Sequence, residues 1–467
     1  MKKIIRFCIL FAALLAATLL LAGCEGGAGG SGTTLYVYNW GEYIADGSEG
    51  SADVNELFEQ YWYEKTGEKI TVNYSTYASN EDMYAKICSG AANYDVIIPS
   101  DYMIARLIDE DLVQPLQFDR IPNYSQINES FKNLPYDPEN VYSVPYFYGM
   151  IGVIYNTEMV DENDENLGSW NLMWSPDYAG EILQYNNSRD AFGVAFYSEG
   201  MLDVNSTNPA DWQRGLDKLM AQKPVLQGYV MDEIFNKMEG GSAAISSYYV
   251  GDYLSMYENN DSLEFYYPKE GTNYYVDAMC IPKSAKHAEL ANEYINFMLQ
   301  GDIEIDGEEY NIAVENALMT YYACPNEVVY TDEYYFKYME DRFTDEEREE
   351  GEEGIRNGAI AMLYPDELPT ILEAMGMTEE EYYGEELSAE QLALWKKPEV
   401  SMYLNLDEEG LNRINILWEK LKIKSDVGTG IYVTCAVIVV VIAAIATYLG
   451  VQKKRRAKYY DPAPEKE

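Results

Sequence analysis

The chain has 467 residues, of which 79 are acidic and 33 basic, giving a formal net charge of −46. Nucleic acid is excluded as a natural partner, since its phosphates would be repelled, whereas a cationic ligand would be drawn in; the same acidity also serves solubility. The one histidine, His287, leaves Ser–His–Asp chemistry and histidine-based zinc sites effectively unavailable, and no Gly-x4-Gly-Lys-Ser/Thr run is present to cradle a phosphate.

The first 23 residues read as a secretory signal. Lys2, Lys3 and Arg6 precede an apolar run from Phe7 to Leu21, which ends at Leu21-Ala22-Gly23-Cys24. Residues 25–33 are Gly-rich and read as a flexible tether.

Leu35–Tyr38 then reads as a strand, ending at Asn39-Trp40-Gly41-Glu42-Tyr43. A helix follows with Val54, Leu57, Phe58, Tyr61 and Trp62 on one face, stopped by Gly67. Ile70–Tyr74 alternates as a second strand, and Ser79 or Asn80 caps a helix that carries Met83 and Ile87. Val96–Ile98 is a continuous apolar run, as in a strand buried on both faces, and ends at Pro99-Ser100-Asp101-Tyr102. Strand–helix–strand–helix–strand predicts a parallel α/β layer. Both polar–aromatic motifs lie just past carboxyl ends of strands, the edge where open parallel sheets bind ligands. The alternative is that Trp40 and Tyr102 simply pack.

Farther along, Ile151–Tyr155, Glu181–Tyr185, Ala243–Tyr249 and Tyr275–Pro282 read as strands, and Ala288–Leu299 as a helix. The stretch 341–397 carries the acidic run Thr344–Glu353 with Glu379–Glu381 and Glu385-Glu386; it reads as an exposed insertion with helical pieces, not as a carboxylate site. Gly430–Val451 is uncharged, apolar and long enough to cross a bilayer. Lys453, Lys454, Arg455 and Arg456 follow it and orient the tail inward. Between the tether and the span, Cys88, Cys280 and Cys324 allow at most one disulfide and make no metal pattern.

Four segments together carry a resemblance: Leu35–Tyr43, Tyr94–Tyr102, Tyr142–Tyr146 and Val276–Pro282. They resemble the spermidine/putrescine-binding component of bacterial ABC transporters, over most of residues 34–335 and again near 400–422. The leader's Leu-Ala-Gly-Cys ending likewise resembles the bacterial lipobox, which implies lipidation at Cys24. The resemblance implies a two-lobed periplasmic-binding-protein fold of the α/β class (type II-like). Residues 34–142, with about 278–335, form lobe 1; 143–277, with about 336–424, form lobe 2. A signal (1–23), a lipidated tether (24–33), a transmembrane helix (430–451) and a cytoplasmic tail (452–467) complete the expectation. The binding domain would stand on the outer face of the cell membrane and serve a permease and an ATPase.

The implied ligand residues are Trp40, Glu42 and Tyr43 from the first motif, then Ser100 and Tyr102. Asn187, Asp190, an aromatic wall at Tyr248 and Tyr275, the amine-anchoring Asp277 and Tyr322 follow. Asn187 stands where the family has a carboxylate, and Tyr248 and Tyr275 where it has tryptophans. No catalytic residue, cofactor or metal is implied. A polyamine needs carboxylates for its ammonium groups and rings for its methylenes. A binding protein for another small cation, or a carboxylate-dependent extracellular hydrolase, are the competing readings.

Overall fold

The computed structural model describes residues 32–90, 93–342, 358–383 and 397–423. The leader, Cys24, the acidic run 344–353, Glu385-Glu386, the apolar segment 430–451 and the tail lie outside the described residues. Among the described residues, no helix is long and apolar enough to cross a membrane.

β1 (Thr33–Trp40) lies between β2 (Ile70–Tyr77) and β3 (Val96–Ile97), parallel to both. Leu35, Val37, Val96 and Ile97 are wholly buried, which explains why the short apolar runs form the centre of the layer. α1 (Val54–Thr66) connects β1 to β2. It starts at Asp53, whose carboxylate accepts from Glu56 N, and stops at Gly67 with φ 76°. Val54, Leu57 and Phe58 are buried, whereas Tyr61 and Trp62 are half-buried. α2 (Asn80–Ser89), capped by Ser79, leads into β3, and α3 (Asp101–Asp109) leaves it.

The second set of strands is larger than expected. β4 runs from Ser143 to Asn156 with every residue buried. Pro145 has no N–H to give the ladder, and the pairing shifts register between Pro145 and Phe147. That interruption hid the first half of the strand from sequence. β5 (Ile182–Tyr185) is followed by α4 (Ser188–Ser198) and α5 (Pro209–Gln222); β6 (Leu226–Val230) by α6 (Glu233–Glu239); and β7 (Ile245–Tyr249) by α7 (Val250–Tyr257). β8 (Leu263–Tyr266) pairs with β4, and β9 (Thr272–Cys280) precedes α8 (Ala288–Met298). One continuous sheet results, in the order β2-β1-β3-β9-β4-β7-β5-β6. β5 is parallel to both β6 and β7, making a second parallel layer. The antiparallel pair β4–β9 joins it to the first. β10 (Asp302–Ile305) and β11 (Glu308–Asn311) form a separate hairpin, and β12 (Val400–Ser401) adds to β9.

The chain divides into two compact units. The larger contains Gly32–Asn205 and Pro224–Leu406. The smaller pairs α5 with the helix Glu408–Lys422, and Lys223 Nζ donates to Leu421 O over 2.6 Å.

One expectation is corrected. The described part of the acidic insertion is not an exposed appendage, because Ala359–Leu363, Tyr364, Leu368, Ile371 and Leu372 are buried. Tyr267 donates to Met362 O over 2.8 Å, and Tyr148 donates to Glu367 Oε2 over 3.0 Å. Its apolar run Ala-Ile-Ala-Met-Leu completes the core between acidic flanks. Cys88, Cys280 and Cys324 are all free thiols.

Candidate binding cleft

Both parallel layers turn their carboxyl edges toward one cleft of the larger unit, with a volume of about 740 Å³ that includes the solvent at its mouth. All eleven expected positions line it: Trp40, Glu42, Tyr43, Ser100, Tyr102, Asn187, Asp190, Tyr248, Tyr275, Asp277 and Tyr322. Ends of β1 and β3 supply the first five. The next three follow β5 or close β7, β9 brings Tyr275 and Asp277, and Tyr322 follows the helix Ile312–Thr320.

Asp277 is at the centre. Tyr43 donates its hydroxyl to Asp277 Oδ2 over 2.8 Å, but buried Oδ1 has no protein donor. Burial lifts this carboxyl to about 6, against the lowering effect of Ser100 and Tyr43. The Tyr275 hydroxyl and Trp40 Nε1 are also buried without a partner. An acceptor and two donors left unsatisfied inside a cleft are costly unless a ligand or water meets them.

Aromatic rings surround this carboxylate. Tyr43 meets Tyr322 edge-on at 4.8 Å between centroids, and Tyr249 meets Tyr275 at 5.3 Å. Two glycines make room for them. A Cβ at Gly149 would come within 2.6 Å of the Tyr275 hydroxyl, and one at Gly251 within 2.8 Å of the Tyr322 ring. Glu42 has φ 48° and Tyr321 φ 58°, so two non-glycine residues next to cleft-lining side chains hold left-handed backbone.

The Ser100 and Tyr102 side chains are fixed by Asn80, whose Nδ2 donates to Ser100 Oγ at 3.1 Å and to Tyr102 Oη at 3.2 Å. Tyr102 donates in turn to Glu81 Oε1 over 3.1 Å. Asn187 is committed at both ends: Oδ1 accepts from Arg189 N at 2.9 Å, capping α4, and Nδ2 donates to Asp190 Oδ2 at 2.8 Å. Burial raises Asp190 to about 7, against hydrogen bonding from Tyr249.

Several lining residues escaped the sequence reading. Tyr249 donates to Asp190 Oδ2 over 2.8 Å. Asp252, on the first turn of α7, is lifted by burial to about 8, against hydrogen bonding from Tyr322, with Asp232 and Glu42 adding like-charge repulsion. Asp232 follows β6, whose half-buried residues carry no clear strand pattern in the sequence. Asp101 is structural: Tyr102 N and Val276 N donate to its two oxygens at 2.6 and 3.3 Å, tying α3 to β9. Tyr403 enters from beyond the insertion, and only tertiary structure places it.

The match to the model of the bacterial extracellular solute-binding protein family covers residues 58–306. The spermidine/putrescine-binding periplasmic protein of Escherichia coli (strain K12) is 32% identical over 293 residues, which are 62% of this chain and 79% of that one. A structure described as a spermidine/putrescine ABC transporter from Listeria monocytogenes superposes with a TM-score of 0.63 at 29% identity, covering 84% of this chain and 99% of that one. The spermidine/putrescine ABC transporter substrate-binding protein of Streptococcus pneumoniae gives 0.57 at 29%, covering 84% and 98%. On its cleft, its sheet order and these matches, the chain belongs to the bacterial extracellular solute-binding protein family.

Proposed function

We propose that this chain binds putrescine or spermidine outside the cytoplasm and delivers it to the permease and ATPase of an ABC importer, catalysing no reaction itself. The observation that carries the reading is Asp277, a buried carboxylate with one unsatisfied oxygen, enclosed by Tyr43, Tyr275 and Tyr322. An ammonium group supplies the missing donors and charge, while the methylenes lie against rings. The names of the relatives from Escherichia coli, Listeria and Streptococcus point the same way.

The ligand would close the predicted lobes by touching side chains from both carboxyl edges, with the crossing strands β4 and β9 as the connection. Acylation at Cys24 and a span at 430–451 would hold the domain at the outer face of the membrane, where confinement raises encounter with the permease. The test is a thermal-shift panel on the purified chain with putrescine, spermidine and 1,4-butanediol. Stabilisation by an amine but not by the diol supports the reading. No response to either amine rejects it.

A further inference from the structure

Side chains alternate along a strand, so β9 presents Asn273, Tyr275 and Asp277 on one face, and all three line the cleft. Asn273 is 1% exposed, and its Oδ1 is buried without a donor. No hydrogen bond from a described residue holds its amide nitrogen either. An asparagine inside a strand does nothing for the sheet itself. A buried amide without partners is costly unless a ligand or solvent group meets it.

Its surroundings suit a charged nitrogen. The β4–β9 register sets Gly149 opposite Tyr275 and Met150 opposite Tyr274, so its continuation places Ile151 beside Asn273; Ile151 in turn faces Tyr249 on β7. Tyr249 lines the cleft and donates its hydroxyl to Asp190 Oδ2 over 2.8 Å. The rung that carries Asn273 thus runs toward a carboxylate. Farther along the same face, Asp277 keeps its own open Oδ1. Four residues separate the two, which is about 13 Å along an extended strand.

We propose that Asn273 is a ligand-binding residue that accepts a hydrogen bond from the far ammonium group of a triamine, so that the cleft takes spermidine in preference to putrescine. One ammonium group sits at Asp277. The two nitrogens of a four-carbon diamine lie too close together to serve both residues, whereas a triamine passes the Tyr275 ring and reaches both. With neither end of the amide held, its oxygen is free to turn to the ligand. Asn273 adds an acceptor without adding charge to a cleft already lined by Glu42, Asp190, Asp232, Asp252 and Asp277. This rests on the polyamine reading above: binding of neither amine by the native protein would defeat that reading, whereas binding without the preference defeats only this one.

The test is calorimetric affinity of the intact purified chain for spermidine and for putrescine at pH 8, in the native protein and in Asn273→Leu and Asn273→Asp. The native protein is expected to bind spermidine at least tenfold more tightly. Asn273→Leu removes the amide at similar volume, so spermidine affinity should fall at least tenfold while putrescine affinity stays within threefold. Asn273→Asp keeps the shape and adds a charge, so it should strengthen spermidine binding over putrescine binding at least threefold. Equal or tighter binding of putrescine by the native protein overturns the proposal. So does a spermidine affinity unchanged in Asn273→Leu, or a parallel fall for both amines, which would make Asn273 a support of the cleft as a whole.

Discussion

Gly149 and Tyr275 face each other across the β4–β9 ladder, and the tyrosine ring lies over the glycine so closely that a methyl there would meet its hydroxyl at 2.6 Å. The cleft wall is thus shaped from the neighbouring strand. Gly149→Ala should push Tyr275 into the cleft. Overpacking of this kind costs about 1–3 kcal/mol, and polyamine affinity should fall at least tenfold with a modest drop in melting temperature. Calorimetry beside a melting curve reads both, and native affinity in the variant would show that Tyr275 does not shape the site.

Asp277→Asn removes the charge but keeps an acceptor for the Tyr43 hydroxyl. Loss of one partner of a buried charge pair costs roughly 2–5 kcal/mol, so affinity should fall by at least thirtyfold. The unliganded protein should melt no lower than the native one, because the variant relieves an uncompensated buried carboxylate. A variant that binds normally would remove Asp277 from the ligand's contacts.

Protonation should act on binding and on stability with opposite signs. Asp277, Asp190 and Asp252 are raised to about 6, 7 and 8 from an unfolded value near 3.8. Between pH 4 and 8 the folded, empty protein therefore holds more protons than the unfolded chain, and its stability declines as pH rises through that window. A dication needs these groups ionised, so affinity should climb over the same window with release of protons. Melting curves at pH 5 and 8, and binding heats in buffers of different ionisation enthalpy, measure the two effects. Affinity independent of pH from 5 to 8 would show that none of these carboxyls changes protonation on binding.

Tyr364 ties the insertion to the loop that carries the cleft-lining Tyr322. Cys324 N donates to its hydroxyl at 3.1 Å, two residues from Tyr322, and that hydroxyl donates onward to Tyr335. Tyr364→Phe leaves a buried N–H unsatisfied, worth about 1–3 kcal/mol. Denaturant unfolding should register that loss, and binding should weaken through Tyr322. An unchanged midpoint would mean that the loop is held by other contacts.

The parts of this architecture that are local in sequence were legible. Asn39–Tyr43 and Pro99–Tyr102 announce themselves because a buried strand ends and polar aromatics begin within a few residues. Asp232 was hidden because β6 is only half-buried and its residues alternate weakly. Tyr403 and the double commitment of Asn187 depend on contacts between distant segments, and no spacing encodes them. The apolar run Ala359–Leu363 was present in the sequence, but its acidic flanks masked the burial that the fold requires of it.

Titration calorimetry of the purified chain with putrescine and spermidine at pH 8 decides whether the Asp277 cleft takes a polyamine. Saturable binding of at least one of them at a single site, micromolar or tighter, is expected. No heat and no saturation with either amine would contradict it, and would leave a solute-binding fold whose Asp277 cleft serves another ligand.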